Sequence, residues 1–242
     1  MPVFLLLFFA YMPFVDNVFV RGQGPYRFAV DTGGQSSIIH TRLARSLGLT
    51  PEFRVELVTQ AGNSLAPGSA TTLAVGGHEL AKVETLFLEL EDQVGILGQS
   101  ALRHLDYTID VGRNRVVLES HPEGMEKAEV FPLRYSFDHI LLPVEIGGRT
   151  YQLALDSGSN VLLVPGSVPG FRALEQATLL SHTGSTKVRT GHLRCLKIGR
   201  FQFRNIAAAL LPGAAQAVDG LIPAQFFHKI HISNRTGKIY LL

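Results

Sequence analysis

Two stretches, Phe28-Ala29-Val30-Asp31-Thr32-Gly33 and Leu153-Ala154-Leu155-Asp156-Ser157-Gly158, decide how this chain is read. Each is an apolar run that ends in an acid, a hydroxyl residue and a glycine. An aspartate at the mouth of a hydrophobic strand is costly to bury unless its charge is put to use. One such triplet alone reads as a turn, in which Asp caps its own backbone and Gly takes the bend. Two of them, 125 positions apart in matched surroundings, read as one acid from each half of a duplicated chain. The pair suggests two carboxylates brought to one place.

The repeat runs well beyond the acids. At the same offset Gly22 falls on Gly147, Tyr26 on Tyr151, and Gly95-Ile96-Leu97 on Gly220-Leu221-Ile222. Each copy of the last element leads into a short segment of helical character and a closing hairpin, over residues 107–118 and 231–242. Between these landmarks lie apolar runs of strand length bounded by Gly, Asn or Ser, the mark of strands joined by tight turns. The fold class is therefore all-β with short helices. One helix is predicted at Thr41–Ser46, ended by Gly48, and the second half carries the proline-rich 165–169 in its place. Runs at 54–60 and 71–75 flank a loop at 61–64, and runs at 176–181 and 187–190 flank one at 183–185, with the first hairpin the longer. The polar stretch 119–127 lacks apolar periodicity and contains Pro122 and Gly124. The expected organisation is an N-terminal lobe over 1–120, a linker over 121–129 and a C-terminal lobe over 130–242.

Composition narrows the function classes. The 242 residues are enough for one large domain or two small ones, each with a real core. Twenty-two basic and 20 acidic side chains give a net charge of +2 and are scattered, so no basic stripe marks a nucleic-acid partner. The single cysteine, Cys195, excludes an internal disulfide and a multi-cysteine metal site, and reads as a small hydrophobe in a strand. Residues 1–11 open on an apolar run too short to span a bilayer. They form either a targeting segment or an extra strand, and a membrane association is expected only if this run anchors the chain; the compartment is otherwise unassigned.

With these motifs in hand, the chain resembles the aspartic proteases of the retropepsin and pepsin type in their single-chain, two-lobed form. The resemblance rests on Asp31-Thr32-Gly33, on Asp156-Ser157-Gly158 and on Ile96-Leu97-Gly98 before a short helix, and it covers nearly all of residues 12–242. It implies two β-barrel-like lobes related by a pseudo-two-fold axis, with an extended peptide or protein substrate in the cleft between them. It implies Asp31 and Asp156 as the catalytic dyad of an aspartic-type peptidase, acting as a monomer without cofactor or metal. Thr32 and Ser157 would lock the lobes across the axis, and Gly33 and Gly158 would let the backbone pass close under each carboxylate. A glycine-rich hairpin around Gln60, Ala61, Gly62 and Asn63 resembles a substrate-binding flap, with no tyrosine at the place pepsin-type flaps carry one.

The chemistry follows from the residue types. Two carboxyls in contact cannot both ionise easily, so they share a proton and titrate as a coupled pair. One then serves as base toward a water and the other as acid toward the scissile carbonyl. Two positions depart from the family pattern: Gly34 stands where Ala or Ser is usual and is expected to loosen the loop, and Pro223 stands where Gly98 should repeat and is expected to weaken the second lobe. The Pro223 departure motivates an alternative, a noncatalytic two-lobed peptide-binding module; a third reading is a structural two-barrel protein whose acids only cap turns. Gly98-Gln99-Ser100-Ala101-Leu102 lacks the last glycine of a nucleophile elbow. His228 and His231 read as surface or packing residues, and Asn234-Arg235-Thr236, a formal glycosylation triplet, as a hairpin turn.

Overall fold

The strand His139–Ile146 states the folding logic in eight residues. Ile140, Leu142, Val144 and Ile146 are fully buried, while the residues between them point outward. That period of two is what a strand with one face in a barrel requires. Each buried aliphatic side chain contributes about 1.5–3 kcal/mol relative to exposure.

The computed structural model describes residues 5–6, 12–59, 62–181, 184–211 and 218–242. It is an almost entirely β protein built as two closed six-stranded barrels, the two lobes expected. The first barrel runs in spatial order through Phe14–Val20, Gln23–Val30, Gly95–Leu97, Ser37–His40, His78–Leu88 and Gly62–Val75. It closes where Val18–Val20 pair antiparallel with Leu73–Val75. The second runs through His139–Ile146, Arg149–Asp156, Gly220–Pro223, Leu162–Val164, Phe201–Leu210 and Gly184–Ile198, and closes at Glu145 against Lys197. In each barrel the strand that ends in the acid lies parallel to the Gly-apolar-apolar strand: Ala29 and Val30 pair with Ile96 and Leu97, and Leu153 to Asp156 pair with Gly220 to Pro223.

The closing hairpins join the lobes. Lys229–Ser233 pairs antiparallel with Asp106–Asp110, so that Glu129–Pro132, Lys238–Leu241, Lys229–Ser233, Asp106–Asp110 and Arg115–Leu118 form one sheet beneath both barrels. One buried apolar cluster runs through both lobes and includes Val30, Ile109, Leu155, Ile222 and Ile232. The helix Thr41–Ser46 is present, capped by Nδ1 of His40 and ended before Gly48, whose φ of +64° suits glycine.

Two local expectations change. The hairpin strands are longer than their apolar runs: Phe53–Thr59 pairs with Gly62–Val75 through to Thr59 opposite Gly62, so Gly62 and Asn63 are strand and not loop. The second hairpin, Phe171–Ser181 with Gly184–Ile198, has the longer first arm, because a register shift between Ala173 and Glu175 lets the strand continue past polar residues. Of the N-terminal segment, Leu5–Leu6 forms a two-residue strand parallel to Thr178 and Leu179; the rest of residues 1–11, and Gln60, Ala61 and Thr183, lie outside the described residues. Among the described residues no helix is long and apolar enough to cross a membrane.

Candidate active site

Asp31 and Asp156 end equivalent strands, and the barrel seam brings the two ends together. Each carboxyl is seated on the backbone of its own loop. Oδ1 of Asp31 accepts from the amides of Gly33 (2.9 Å) and Gly34 (3.1 Å), and Oδ1 of Asp156 from those of Gly158 (2.8 Å) and Ser159 (3.0 Å). The two side chains are hydrogen-bonded to each other.

The loops are interlocked by their hydroxyl residues. The amide of Thr32 donates to Ser157 Oγ and the amide of Ser157 to Thr32 Oγ1, both at 3.0 Å. Thr32 Oγ1 then donates to the carbonyl of Leu155 and Ser157 Oγ to that of Val30, at 2.8 and 2.7 Å. All of these groups are buried.

The glycines also work across the axis. A Cβ on Gly33 would stand 2.5 Å from Cγ of Asp156, and one on Gly158 would stand 2.9 Å from Cγ of Asp31. Each glycine is therefore the floor under the opposite carboxyl. Any side chain there would push the two acids apart.

The two acids differ in surroundings. Asp156 is buried, whereas Asp31 is partly open. Burial holds the Asp156 carboxyl well above its ordinary range; the neighbouring Asp31 charge and their shared bond add to this, and the amides of Gly158 and Ser159 oppose it. His139, at the start of a second-lobe strand, crosses to the first-lobe loop, hydrogen-bonds the Gly33 backbone and faces Asp31. Its Nδ1 is buried without a hydrogen-bond partner among the described residues. Burial lowers its pKa against the upward pull of Asp31 and Asp138. The adjoining turn is held by Gln35 Nε2 on the carbonyl of Phe137 (2.7 Å) and by the Arg103–Asp138 ion pair (2.7 Å).

Neither departure from the family pattern loosens the site. Gly34 spends its amide on Asp31, as Ser159 does on Asp156. In the first lobe the Gly98 amide donates to Ser37 Oγ (3.2 Å). In the second lobe Leu162 stands in Ser37's place, so the N–H that Pro223 lacks has no acceptor to miss. Pro223 has φ −62°, its natural value, and lies in register beside Asp156.

Gln99 and His139 were missed in the sequence. Gln99 is completely buried, and its Nε2 donates to the Thr32 carbonyl at 2.8 Å; its one sequence signal is its place directly after Ile96-Leu97-Gly98. His139 had none, being a single histidine before an apolar run. His231 packs in the sheet beneath the barrels against the Thr108 hydroxyl (2.9 Å), and His228 is exposed. Asn234 uses its Nδ2 on the carbonyls of Leu102 and Leu105 (3.1 and 2.6 Å), which ties the closing turn of the second lobe to the short helix of the first. Among the described residues no cluster of three or more His, Cys, Asp or Glu is arranged to hold a metal ion.

Residues 17–104, which contain Asp31-Thr32-Gly33 and Ile96-Leu97-Gly98, match the family described as gag-polyprotein putative aspartyl protease. Among solved structures, a retropepsin-like aspartic protease from Rickettsia conorii is similar, at 22% identity over 38% of this chain and 70% of that one, with a TM-score of 0.33. A search of curated proteins finds no match. The family match spans the first lobe, and the second lobe repeats the architecture of the first.

Proposed function

We propose that the protein is an aspartic endopeptidase in which Asp31 and Asp156 activate a water against a peptide bond. The observation that carries this is the meeting of the two acids across the pseudo-two-fold axis, hydrogen-bonded to each other with their loops interlocked by Thr32 and Ser157. Burial keeps the proton on Asp156, so Asp31 is the base. As water attacks the scissile carbonyl carbon, Asp31 takes one of its protons, and Asp156 gives its own to the carbonyl oxygen. The product is a neutral tetrahedral diol. Its collapse breaks the C–N bond: the proton held by Asp31 passes to the departing nitrogen, and one diol hydroxyl returns its proton to Asp156 as the carbonyl re-forms.

The substrate class we infer is an extended peptide lying in the cleft, with main-chain hydrogen bonds to strand edges. The hairpin that includes Gly62 and Asn63 is proposed as the flap over it, and both acids coming from one chain make a monomer sufficient. No observation favours the noncatalytic alternative, since the Pro223 position carries no lost hydrogen bond. The test is incubation with a mixed peptide library from about pH 3 to 7, alongside Asp31→Asn and Asp156→Asn. Cleavage by the wild type and its loss in both variants is expected; cleavage that survives in either variant overturns the assignment.

A further inference from the structure

The peptide unit between Thr32 and Gly33 is held at both ends. Its N–H, on Gly33, donates to Oδ1 of Asp31 at 2.9 Å, and its carbonyl, on Thr32, accepts from Nε2 of Gln99 at 2.8 Å. A trans peptide is a rigid plate whose N–H and C=O point in opposite directions, so a group that fixes the carbonyl also aims the amide. A donor on the carbonyl further polarises the N–H at the other end and strengthens the bond it gives.

Gln99 is itself fixed. It begins the short helix Gln99–Leu102, whose first two amides donate to the carbonyls of Gly34 and Gln35, both at 2.8 Å. The far end of that helix is gripped by Asn234 from the second lobe, and Arg103 just beyond it pairs with Asp138. Behind it, Gln99 Oε1 and the Tyr107 hydroxyl are both buried and face each other.

The second lobe has a different residue at the equivalent position. Gly158 donates to Asp156 Oδ1 at 2.8 Å, as Gly33 does to Asp31. The residue 125 positions after Gln99, however, is Ala224, whose side chain has no donor for the Ser157 carbonyl.

We propose that Gln99 is a positioning residue of the acid pair, which clamps the Thr32–Gly33 peptide so that its polarised N–H holds Asp31 as the charged member. This rests on the peptidase reading above and deepens it by naming what positions Asp31. The groups that also face the pair are His139 and, on the same turn, Asp138; Tyr107, with Tyr135 beyond it, lies behind Gln99. None of these contacts the Thr32 carbonyl in place of Gln99.

The test follows the carbon-13 carboxyl signals of Asp31 and Asp156 through a pH titration, with peptide cleavage measured in parallel. Gln99→Met keeps length and volume without the donor; Tyr107→Phe keeps the donor and removes the hydroxyl behind it. In Gln99→Met the first deprotonation of the pair is expected to move up by about half a unit, with kcat down roughly fivefold and KM within about twofold. Tyr107→Phe is expected to leave that midpoint in place. A folded Gln99→Met protein with an unmoved midpoint overturns the proposal, as does a loss of thermal stability with midpoint and kcat unchanged. Should Gln99→Met not fold, Gln99→Asn, which withdraws the amide by one methylene, carries the same expectation and the same refutation. A moved midpoint in a protein that cleaves nothing supports the role of Gln99 while the peptidase reading falls.

Discussion

Thr32 and Ser157 each donate a backbone amide to the other's hydroxyl, at 3.0 Å in both directions, although 125 residues separate them. Neither loop satisfies the buried amide of its own hydroxyl residue. The acid of each lobe therefore sits on a loop that is complete only when the other lobe is docked, which couples formation of the site to assembly of the two halves. A duplicated chain keeps such a motif in both copies because the contact is reciprocal.

Loss of either hydroxyl should be expensive for that reason. Thr32→Val strands the Ser157 amide and the Leu155 carbonyl, and Ser157→Ala strands the Thr32 amide and the Val30 carbonyl. At about 1–3 kcal/mol for each buried group left unpaired, each variant should lose roughly 2–5 kcal/mol in urea unfolding. The double variant should lose less than the sum, since the two share one network. Additive losses, or single losses under about 0.5 kcal/mol, would mean that the interlock contributes little.

Gly33→Ala tests the floor of the site. Its new methyl would meet Asp156 Cγ at 2.5 Å, whereas that of Gly34→Ala meets the Asp31 side chain less closely, with Oδ2 at 3.1 Å and Cγ at 3.3 Å. Separation of the acids should remove cleavage by about a hundredfold or more in Gly33→Ala and by much less in Gly34→Ala, with circular dichroism unchanged in both. Equal activity in the two variants would contradict the cross-axis role of Gly33.

Much of this was legible in the sequence, and the limits are physical. The duplicated Asp-[Ser/Thr]-Gly strands, the all-β class and the helix Thr41–Ser46 follow from local pattern, because apolar runs, turn residues and caps act over a few positions. The hairpin arms came out too short because strand pairing carries polar residues such as Glu175 across a register shift, which no local pattern reports. The doubts about Gly34 and Pro223 arose from reading single positions. Only the partner position, Ser37 in one lobe and Leu162 in the other, explains why Pro223 fits. Gln99 and His139 stayed hidden because each acts on a backbone group far away in the chain.

The raised Asp156 pKa has a measurable consequence for stability. A carboxyl whose folded value lies above its unfolded one favours the fold when protonated; that stabilisation is fully present below about 3.8 and is lost as pH rises through the folded value. Asp156→Asn mimics the protonated side chain at every pH. It should therefore unfold at higher urea than the wild type at pH 7, and the advantage should shrink toward zero as the pH approaches 4. A variant less stable than wild type at pH 7 would place the charge, and not the proton, on Asp156.

His231 works in the opposite direction, at the seam between the lobes. It is buried in the strand Lys229–Ser233, opposite Thr108 in Asp106–Asp110, and is hydrogen-bonded to the Thr108 hydroxyl and the Tyr107 backbone. Burial lowers its pKa below the ordinary 6.5; the charges of Glu119 and Asp106 and the Tyr107 bond pull upward, and His121 adds to the lowering. The unfolded chain then binds a proton that the fold resists, so stability is present above about pH 6.5 and is lost as pH falls from there toward the folded value. Because the seam carries the closing hairpins of both lobes, this loss falls on their docking. His231→Gln keeps a hydrogen-bonding side chain without the titration, and its unfolding midpoint should hold steady between about pH 6.5 and 5 while that of the wild type declines. A wild-type decline of the same size in His231→Gln would assign the acid sensitivity elsewhere, with His139, lowered by burial in the same way, the next residue to substitute.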